Sequence, residues 1–546
     1  MISAVNQEYR NGRVMLFLAL VILLLLTAVA ILARPITPID ETRYVGVAWE
    51  MWLRGDFLVP FKNGEPYSHK PPLMMWMFQA GWAVFGVNAW WPRLVSPLFS
   101  AGAIWLTYKL ATRLWPQRDG LGGRAAMVLV SCLVWAISST WVMFDVMLAF
   151  FVLVGVHGLL SAAEGKRLRG FALLGLAIGL GVLTKGPVIL LHLLPVAVLA
   201  PWWHPGLRWP SWYGGVFVAI LYGAAIAFLW AIPAGMAGGD EYQKAIFWGQ
   251  TANRMVESFA HQRPIWWYLA LMPVLLFPWF VWPTLWRALT QYIRHGLDQG
   301  GRFCLAWSVP VLVAFSFISG KQLHYLMPLF PAFALLVARV VAGGRRGEKR
   351  GSGLVLPLLL VATVGAGLLL VSSGTIPVSY APLPKLGLLV AGILLIGGST
   401  AAYFWHRNKP RSLVILGLAG AVLPMVAQLA VAPLIYPAND VRPMALAIRQ
   451  GQDQGITVAH AGKYHDQYHF FGRLQKPLVA VPNEALTSWL IQHPQAWAVL
   501  YLRNKEVLTS KEILATQPYR GKTVVLVTAK AALDILAHAE ARIPQD

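Results

Sequence analysis

The sequence predicts an all-α polytopic membrane protein of about 13 transmembrane helices, followed by a small C-terminal α/β domain. Of the 546 residues, 57% are hydrophobic and 12% are charged, whereas soluble domains carry about 25% charged residues. The apolar residues form unbroken runs, whereas the strands of an outer-membrane barrel alternate apolar and polar residues. These observations exclude a soluble globular enzyme, a disordered chain and a membrane β-barrel.

The first predicted span covers residues 14–33, about 20 residues, which is enough to cross a bilayer as a helix. Twelve further apolar runs predict spans at residues 93–113, 125–143, 146–163, 171–184, 187–203, 212–234, 267–287, 303–319, 325–342, 354–372, 385–404 and 412–434. An odd number of spans places the two ends of the chain on opposite sides of the membrane.

The net charge of +22 would indicate a nucleic-acid partner in a soluble protein. Here the basic residues lie mostly in short loops between apolar runs, as the positive-inside rule requires, so no nucleic-acid partner is expected. These loops, at residues 113–124, 166–169, 287–302, 345–350 and 407–411, are predicted to be cytoplasmic. The opposite side receives the long segment 34–92, the segment 235–266 and everything after residue 433.

The composition changes near residue 437, where short β-prone runs alternate with helix-like stretches. We therefore predict a membrane domain over residues 1–436, which includes the long outer segment 34–92, and an α/β domain over residues 437–546. The sequence contains no nucleotide-binding motif. Cys132 and Cys304 both lie within apolar runs, so neither a disulfide framework nor a cysteine metal site is predicted.

Acidic residues stand out at two places on the predicted outer side. Asp40 and Glu41 follow the first span, with Arg43 two residues later. Asp145 is the one charged residue between Trp141 and Phe150, and an unpaired carboxylate in such surroundings is costly, so we expect a partner or a function for it. The alternatives are a helix start for the first pair, where acids favour the helix dipole, and a plain turn for Asp145.

Basic residues on the same predicted side are Lys70, Lys185, Arg254 and Lys321. Each one alone is equally well explained as an interfacial anchor whose charged end reaches the lipid headgroups. Together with the acids they suit glycosyl transfer from a lipid phosphate, since cations hold the phosphate while carboxylates act at the sugar. We expect Asp40, Asp145, Lys70, Arg254 and Lys321 to converge in one pocket.

Several motifs support this interpretation through a family resemblance. The stretches are Asp40-Glu41-Thr42-Arg43-Tyr44, Phe144-Asp145-Val146-Met147-Leu148, Thr184-Lys185-Gly186, Asn253-Arg254 with His261, Arg263 and Trp267-Tyr268, and Gly320-Lys321 with Tyr325. In combination they resemble the GT-C type, lipid-phosphate-dependent glycosyltransferases of the protein O-mannosyltransferase superfamily, and within it the bacterial aminoarabinose transferases that modify lipid A. The resemblance covers the whole chain and implies a 13-helix fold with a periplasmic C-terminal domain in the bacterial inner membrane.

The resemblance also implies roles for individual residues. Asp40 and Asp145 would be the essential acids, and the phosphate of an undecaprenyl-phosphate-linked sugar would be bound by Lys70, Arg254, Lys321 and Tyr325. Beyond the resemblance, Glu41 next to Asp40 is a further candidate acid, and Arg43 and Lys185 are further candidate phosphate ligands. The transfer would proceed with inversion, and the acceptor would be lipid A or another envelope molecule.

Two departures from the family pattern leave questions open. His69-Lys70-Pro71 stands where the family has Glu-Lys-Pro, and that Glu is linked to a zinc-type site with a histidine that matches His261. Imidazole is a good zinc ligand, so His69 and His261 are candidate ligands of a divalent metal, although the sequence requires no cofactor. Gln322-Leu323-His324 also replaces the family's L-P-x.

Three other functions are weighed against this one. A related glycosyltransferase would use the same donor to modify protein, glycan or another envelope lipid. A lipid or solute transporter would place ionisable residues inside the spans, where this chain has few. A purely structural envelope protein would not explain the charged residues that cluster on the outer side.

Overall fold

The computed structural model describes residues 2–249, 262–343, 352–376, 384–408, 412–502 and 512–538. In the first half of the chain the elements are α1 Ile2–Ala33, α2 Asp40–Arg54, β1 Phe61–Lys62, β2 Glu65–Pro66, α3 Leu73–Phe85, α4 Trp90–Leu114, α5 Leu121–Ser131, α6 Leu133–Ser138, α7 Phe144–Ala163, α8 Arg167–Lys185, α9 Val188–Val198, α10 Ala200–Trp203, α11 Trp209–Gly238 and α12 Asp240–Lys244. The second half contains α13 Trp267–Leu275, α14 Pro283–Arg294, α15 Gln299–Phe317, α16 Phe330–Ala342, α17 Val355–Ser372, α18 Lys385–Asn408, α19 Ser412–Asn439, α20 Arg442–Asp453, β3 Val458–Ala461, α21 His469–Gly472, β4 Val479–Val481, α22 Leu486–Gln492, β5 Trp497–Leu502, β6 Ile513–Tyr519, β7 Lys522–Thr528 and α23 Ala529–His538.

Within the described residues, ten helices are long and apolar enough to cross a bilayer. They are Gly12–Ala33, Trp90–Leu114, Phe144–Ala163, Arg167–Lys185, Trp209–Gly238, Gln299–Phe317, Leu323–Ala342, Val355–Ser372, Lys385–Trp405 and Ser412–Pro433. The predicted fold class, a polytopic helical membrane protein with a small C-terminal sheet region, is confirmed.

Three of the predicted spans are not single long helices. Residues 125–143 form α5 and α6, which are separated by Cys132 in an extended conformation. Residues 187–203 form α9 and the single turn α10. Residues 267–287 are interrupted between α13 and α14, a stretch with Pro278 inside it and Pro283 at the start of the second helix, and proline removes a backbone donor and stops a helix. These three predicted spans are therefore interrupted in the structure and are not single helices.

The chain divides into two compact units. The first unit contains residues 1–32, 69–73 and 93–431, and the second contains residues 33–68, 74–92 and 432–546. The outer segment between the first two long helices therefore belongs mainly with the C-terminal region, whereas the sequence groups it with the membrane domain. Specific contacts join the two parts of the second unit: the indole nitrogen of Trp49 donates to the carbonyl of Leu474 at 3.0 Å.

A five-stranded mixed sheet forms the centre of the C-terminal region, with strand order β4-β3-β5-β7-β6. Strand β3 pairs in parallel with β4 and β5, and β7 pairs antiparallel with β5 and β6. Alternate residues face opposite sides of a sheet. Accordingly Val458 and Val499 pack in one apolar core with α20, and Ala459 and Ala498 pack in a second core with α22 and α23.

Candidate active site

Asp145 lies in the first turn of α7 in the first compact unit and is 2% exposed. Its carboxylate Oδ1 lies 2.5 Å from Nζ of Lys185, which stands in the last turn of α8. An acid at a helix N-terminus and a base at a C-terminus are both favoured by the helix dipole. The structure therefore supplies the partner that the lone carboxylate requires.

The hairpin formed by α7 and α8 brings these two residues together. Asp145 precedes Gly165 by 20 residues and Lys185 follows it by 20 residues, so the two side chains stand level at the open end of an antiparallel pair. At the closed end of the hairpin the two helices pack tightly, which small residues allow. A Cβ on Gly170 would lie only 2.4 Å from the backbone nitrogen of Ala162, so a larger residue would not fit there. This symmetry about Gly165 is a sequence signal that predicts the ion pair.

His324 and Tyr325 complete the surroundings of the ion pair. Both belong to the 3₁₀ helix Leu323–Leu329. Nε2 of His324 lies 3.9 Å from Oδ2 of Asp145, and Nζ of Lys185 lies 4.5 Å from the centre of the Tyr325 ring. Sequence reasoning missed His324 as a site residue, and its signal was the departure from the family pattern at that position.

Lys70 reaches the same end of α7. Its Nζ lies 5.8 Å from the centre of the ring of Phe144, the residue before Asp145, and it interacts electrostatically with the Asp145 carboxylate. Lys70 is half-buried, and it follows the family's motif position. The structure thus brings Lys70, Lys185, Tyr325 and Asp145 into one neighbourhood. Of the five residues expected to converge, Asp145 and Lys70 lie here.

Lys321 is held by a short piece of paired backbone. Gln262 and Gly320 form an antiparallel bridge, and the amide of Arg263 donates to the carbonyl of Ser319 at 3.2 Å. This pairing places Nζ of Lys321 2.9 Å from the carbonyl oxygen of Arg263, to which it donates. Lys321 is 3% exposed, and no carboxylate of the described residues forms an ion pair with it.

The charges around Asp145 are unbalanced. Within the described residues, a single carboxylate is faced by the ammonium groups of Lys185 and Lys70 and by the imidazole of His324. Excess positive charge in a half-dry site favours an anionic ligand, and lysine binds phosphate as a point charge. This cluster of Asp145, Lys185, His324 and Lys70 is called the anion site below.

The first predicted acids lie in the second compact unit. Asp40 is the first residue of α2, is exposed, and forms an ion pair with Arg43. Glu41 is buried and forms a two-pronged ion pair with Arg34, with oxygen–nitrogen distances of 2.5 and 3.1 Å. The backbone amide of Thr37 also donates to Glu41 at 2.9 Å. Through these contacts Glu41 holds the segment that precedes α2 in place. Its catalytic role stays a prediction.

The remaining predicted residues are Arg254, His261 and His69. Arg254 and His261 lie outside the described residues. His69 is exposed and belongs to no group of three metal-type donors in the described part of the chain. The donors that do converge there are Glu50, Asp466 and His469, all buried and all in the second unit. No sequence pattern indicates this group, because Glu50 and His469 are 419 residues apart.

Comparison with known proteins gives a consistent picture. Residues 69–230 match the family model described as dolichyl-phosphate-mannose-protein mannosyltransferase. The chain is 34% identical over 334 residues to the undecaprenyl phosphate-α-4-amino-4-deoxy-L-arabinose arabinosyl transferase of Pseudomonas aeruginosa, and the match covers 59% of this chain and 60% of that relative's length. A relative of the same description from Edwardsiella ictaluri is 30% identical over 411 residues, with 70% of this chain and 72% of the relative covered.

The fold also matches a solved structure. The crystal structure of ArnT from Cupriavidus metallidurans bound to undecaprenyl phosphate superposes with a TM-score of 0.73 at 21% sequence identity. The match covers 95% of this chain and 98% of that protein. The likeness therefore extends over both compact units.

Proposed function

The chain belongs to the family of undecaprenyl phosphate-α-4-amino-4-deoxy-L-arabinose arabinosyl transferases, and from this we propose that it transfers 4-amino-4-deoxy-L-arabinose from undecaprenyl phosphate to a phosphate of lipid A. The reaction takes place at the periplasmic face of the bacterial inner membrane, a sidedness supported by the basic loops on the opposite side. The segment after residue 433 is expected on the periplasmic side as well, from the same distribution of charge.

The observation that carries this proposal is the buried ion pair of Asp145 and Lys185, with Lys70 and His324 beside it. The donor's phosphate binds to the excess positive charge, and its lipid tail lies against apolar helices. As the sugar leaves, negative charge grows on the phosphate. The cations stabilise that charge more strongly in the transition state than in the ground state, which is the condition for catalysis.

The proposed transfer forms one bond and breaks one, and this exchange needs no cofactor. An oxygen of the acceptor phosphate attacks the anomeric carbon, the bond between that carbon and the donor phosphate oxygen breaks, and undecaprenyl phosphate leaves as an anion. The acceptor is already an anion and needs no strong base. Asp145 therefore holds Lys185 in place and stabilises positive charge that develops on the sugar ring, and the donor's phosphoester supplies the free energy.

The other predicted residues take part in the proposal as sequence-based expectations. Asp40 and Glu41 stay candidate acids, Arg43, Arg254 and Lys321 stay candidate phosphate ligands, and His69 and His261 stay candidate metal ligands. A hydroxyl acceptor on protein or glycan would need a general base, for which Asp40 is the first candidate.

The test is a transfer assay with purified protein in lipid vesicles, a lipid-linked aminoarabinose donor and lipid A. Mass spectrometry of the lipid A product detects the added sugar. The Asp145→Asn variant is expected to lose at least about 100-fold in rate. Glu164→Gln is the matched control, since Glu164 lies just past the other end of the same helix, where it pairs with Arg113 at 2.9 Å.

Two outcomes contradict the proposal. Wild-type activity in Asp145→Asn would remove the anion site from the reaction. Sugar transfer to an envelope protein or glycan, with lipid A unmodified under the same conditions, would replace the proposed acceptor while leaving the donor chemistry in place.

A further inference from the structure

A second charged cluster, in the other compact unit, has the composition of a metal site. Glu50 comes from α2, and Asp466 and His469 come from the loop and short helix after β3. The three side chains are respectively 5%, 0% and 2% exposed. Their donor atoms all lie within 4.8 Å of one another, and bonds of about 2.1 Å place ligands roughly 3–4 Å apart around one ion.

The distances within the cluster agree with a shared ion. Oδ1 of Asp466 lies 2.8 Å from Nδ1 of His469, and Oε1 of Glu50 lies 3.8 Å from Nε2 of the same ring. Nδ1 is also within hydrogen-bond distance, 3.0 Å, of the Tyr464 hydroxyl. A partner on one ring nitrogen fixes the orientation of a ligating histidine, so Nε2, on the side of Glu50, is the candidate ligand atom of His469.

Asp466 provides an independent sign of a ligand. Oδ1 lies against Nδ1 of His469, but Oδ2 is buried and has no hydrogen-bond partner within the described residues. Its backbone adopts a left-handed conformation with φ of +67°, and its carboxylate is packed so closely on α2 that a Cβ on Gly46 would lie 2.4 Å from Oδ2. A buried carboxylate oxygen without a partner is costly unless a cation is bound to it.

A tight turn holds the Glu50 carboxylate in position. The hairpin of β1 and β2 turns at Asn63 and Gly64, and the backbone amides of both residues donate to the Glu50 carboxylate, that of Gly64 at 2.9 Å. The cluster then carries two carboxylates and one imidazole.

We propose that Glu50, Asp466 and His469 bind one divalent cation, with Zn²⁺ as the first expectation because imidazole and carboxylate oxygens suit it. The ion joins α2 to the loop after β3 and fixes the outer segment 33–68 on the C-terminal region within the second unit. The proposed ion is structural, and its site is separate from the candidate metal ligands His69 and His261. The proposal is independent of the proposed transfer reaction.

The test is the metal content of the full-length protein, purified with a tag that contains no histidine and washed with a weak chelator. Elemental mass spectrometry is expected to find a bound metal in wild type. His469→Gln and Asp466→Asn are expected to weaken its affinity by at least about 100-fold. His493→Gln, at an exposed histidine of the same region, and His69→Gln are expected to retain the metal.

A second measurement covers variants that fail to fold. Metal-free protein in the His69→Gln background is titrated with Zn²⁺ and, separately, Mn²⁺ while the melting temperature is recorded. A rise of several degrees is expected, since an ion that binds the folded state stabilises it. The inference is overturned if neither ion changes the melting temperature, or if the metal disappears in His69→Gln and persists in His469→Gln.

Discussion

The two buried charge clusters of this protein are unbalanced in opposite directions. In the first unit one carboxylate, Asp145, is surrounded by cationic and imidazole side chains. In the second unit two carboxylates, Glu50 and Asp466, surround one imidazole. Isolated buried charges are costly, so the sign of each excess favours the ligand proposed for it: an anion for the first cluster and a cation for the second.

A third pair provides the neutral reference. Arg34 and Glu41 are both buried, and they match charge for charge in a two-pronged ion pair. Nothing remains there for a ligand to neutralise. The comparison therefore separates ion pairs that hold the chain together from clusters that bind something, and single substitutions can test that separation.

The largest effect is expected for Lys185→Met, which removes the cation closest to Asp145. The rate of sugar transfer should fall at least about 100-fold, because the donor phosphate loses a charge and Asp145 loses its partner. Lys166→Met is the matched control, since Lys166 is exposed just before the opposite end of the same helix. Equal rates for the two variants in the vesicle assay would show that the anion site is a structural ion pair.

Glu41→Gln is expected to destabilise the fold by about 3 kcal/mol, since removing one partner of a buried ion pair leaves the other charge unpaired. Chemical unfolding in detergent measures the effect. Glu65→Gln, at an exposed position, is the control. A free energy of unfolding within about 0.5 kcal/mol of wild type would contradict the structural role, and a lost transfer rate in that stable variant would favour the catalytic role that the family resemblance implies.

His324→Leu is expected to have a smaller effect on the anion site. Nε2 is 3.9 Å from Asp145, and a partly exposed interaction of this kind contributes about 1 kcal/mol. The kcat/KM for the lipid-linked donor should therefore fall about fivefold. His295→Leu, at an exposed histidine, should leave kcat/KM unchanged, and an equal loss in both variants would remove His324 from the site.

The smallest effect concerns a buried histidine without carboxylate neighbours. His460 lies in β3, and its Nε2 is 2.9 Å from the Tyr501 hydroxyl. Burial lowers the pKa of His460 to about 4, despite a hydrogen bond to the backbone of Gly462. Its stabilising contribution is complete above the unfolded pKa of 6.5 and is lost as the pH falls toward 4.

Between pH 6.5 and pH 5.5 this residue should account for a loss of about 1 kcal/mol in the free energy of unfolding. The measurement compares wild type with His460→Gln over that range. The variant should lose less stability on acidification, and identical pH profiles would contradict a neutral, buried His460. His469 differs because Asp466 and Glu50 outweigh its burial and raise its pKa.

Much of the anion site was predictable from the sequence. Asp145 and Lys185 are ionisable residues in apolar surroundings, and their equal spacing from Gly165 determines that they meet. The fold class followed from composition and apolar runs. The interruption of the span at 267–287 was also visible in principle, because Pro278 lies in its middle and proline stops a helix.

The cation cluster was not predictable in the same way. From the sequence, Glu50 is expected to pair with Arg54 four residues later on the same face of a helix. In the structure the Glu50 carboxylate and the Arg54 guanidinium do approach to 4.0 Å. Asp466 and His469 lie in an irregular loop and a single turn of helix, where no periodicity identifies the buried face. Only the packing of the outer segment on the C-terminal region, through contacts such as Trp49 with Leu474, brings residues so distant in sequence together.

The most direct test of the anion site is the dissociation constant for undecaprenyl phosphate, measured by titration of the purified protein in lipid nanodiscs. The double variant Lys70→Met/Lys185→Met should bind at least about tenfold more weakly than wild type, and the difference should shrink as salt screens the charges. His493→Gln should bind like wild type. Equal affinity of the double variant and wild type at low salt would contradict the assignment of Asp145, Lys185, His324 and Lys70 as the donor's phosphate site.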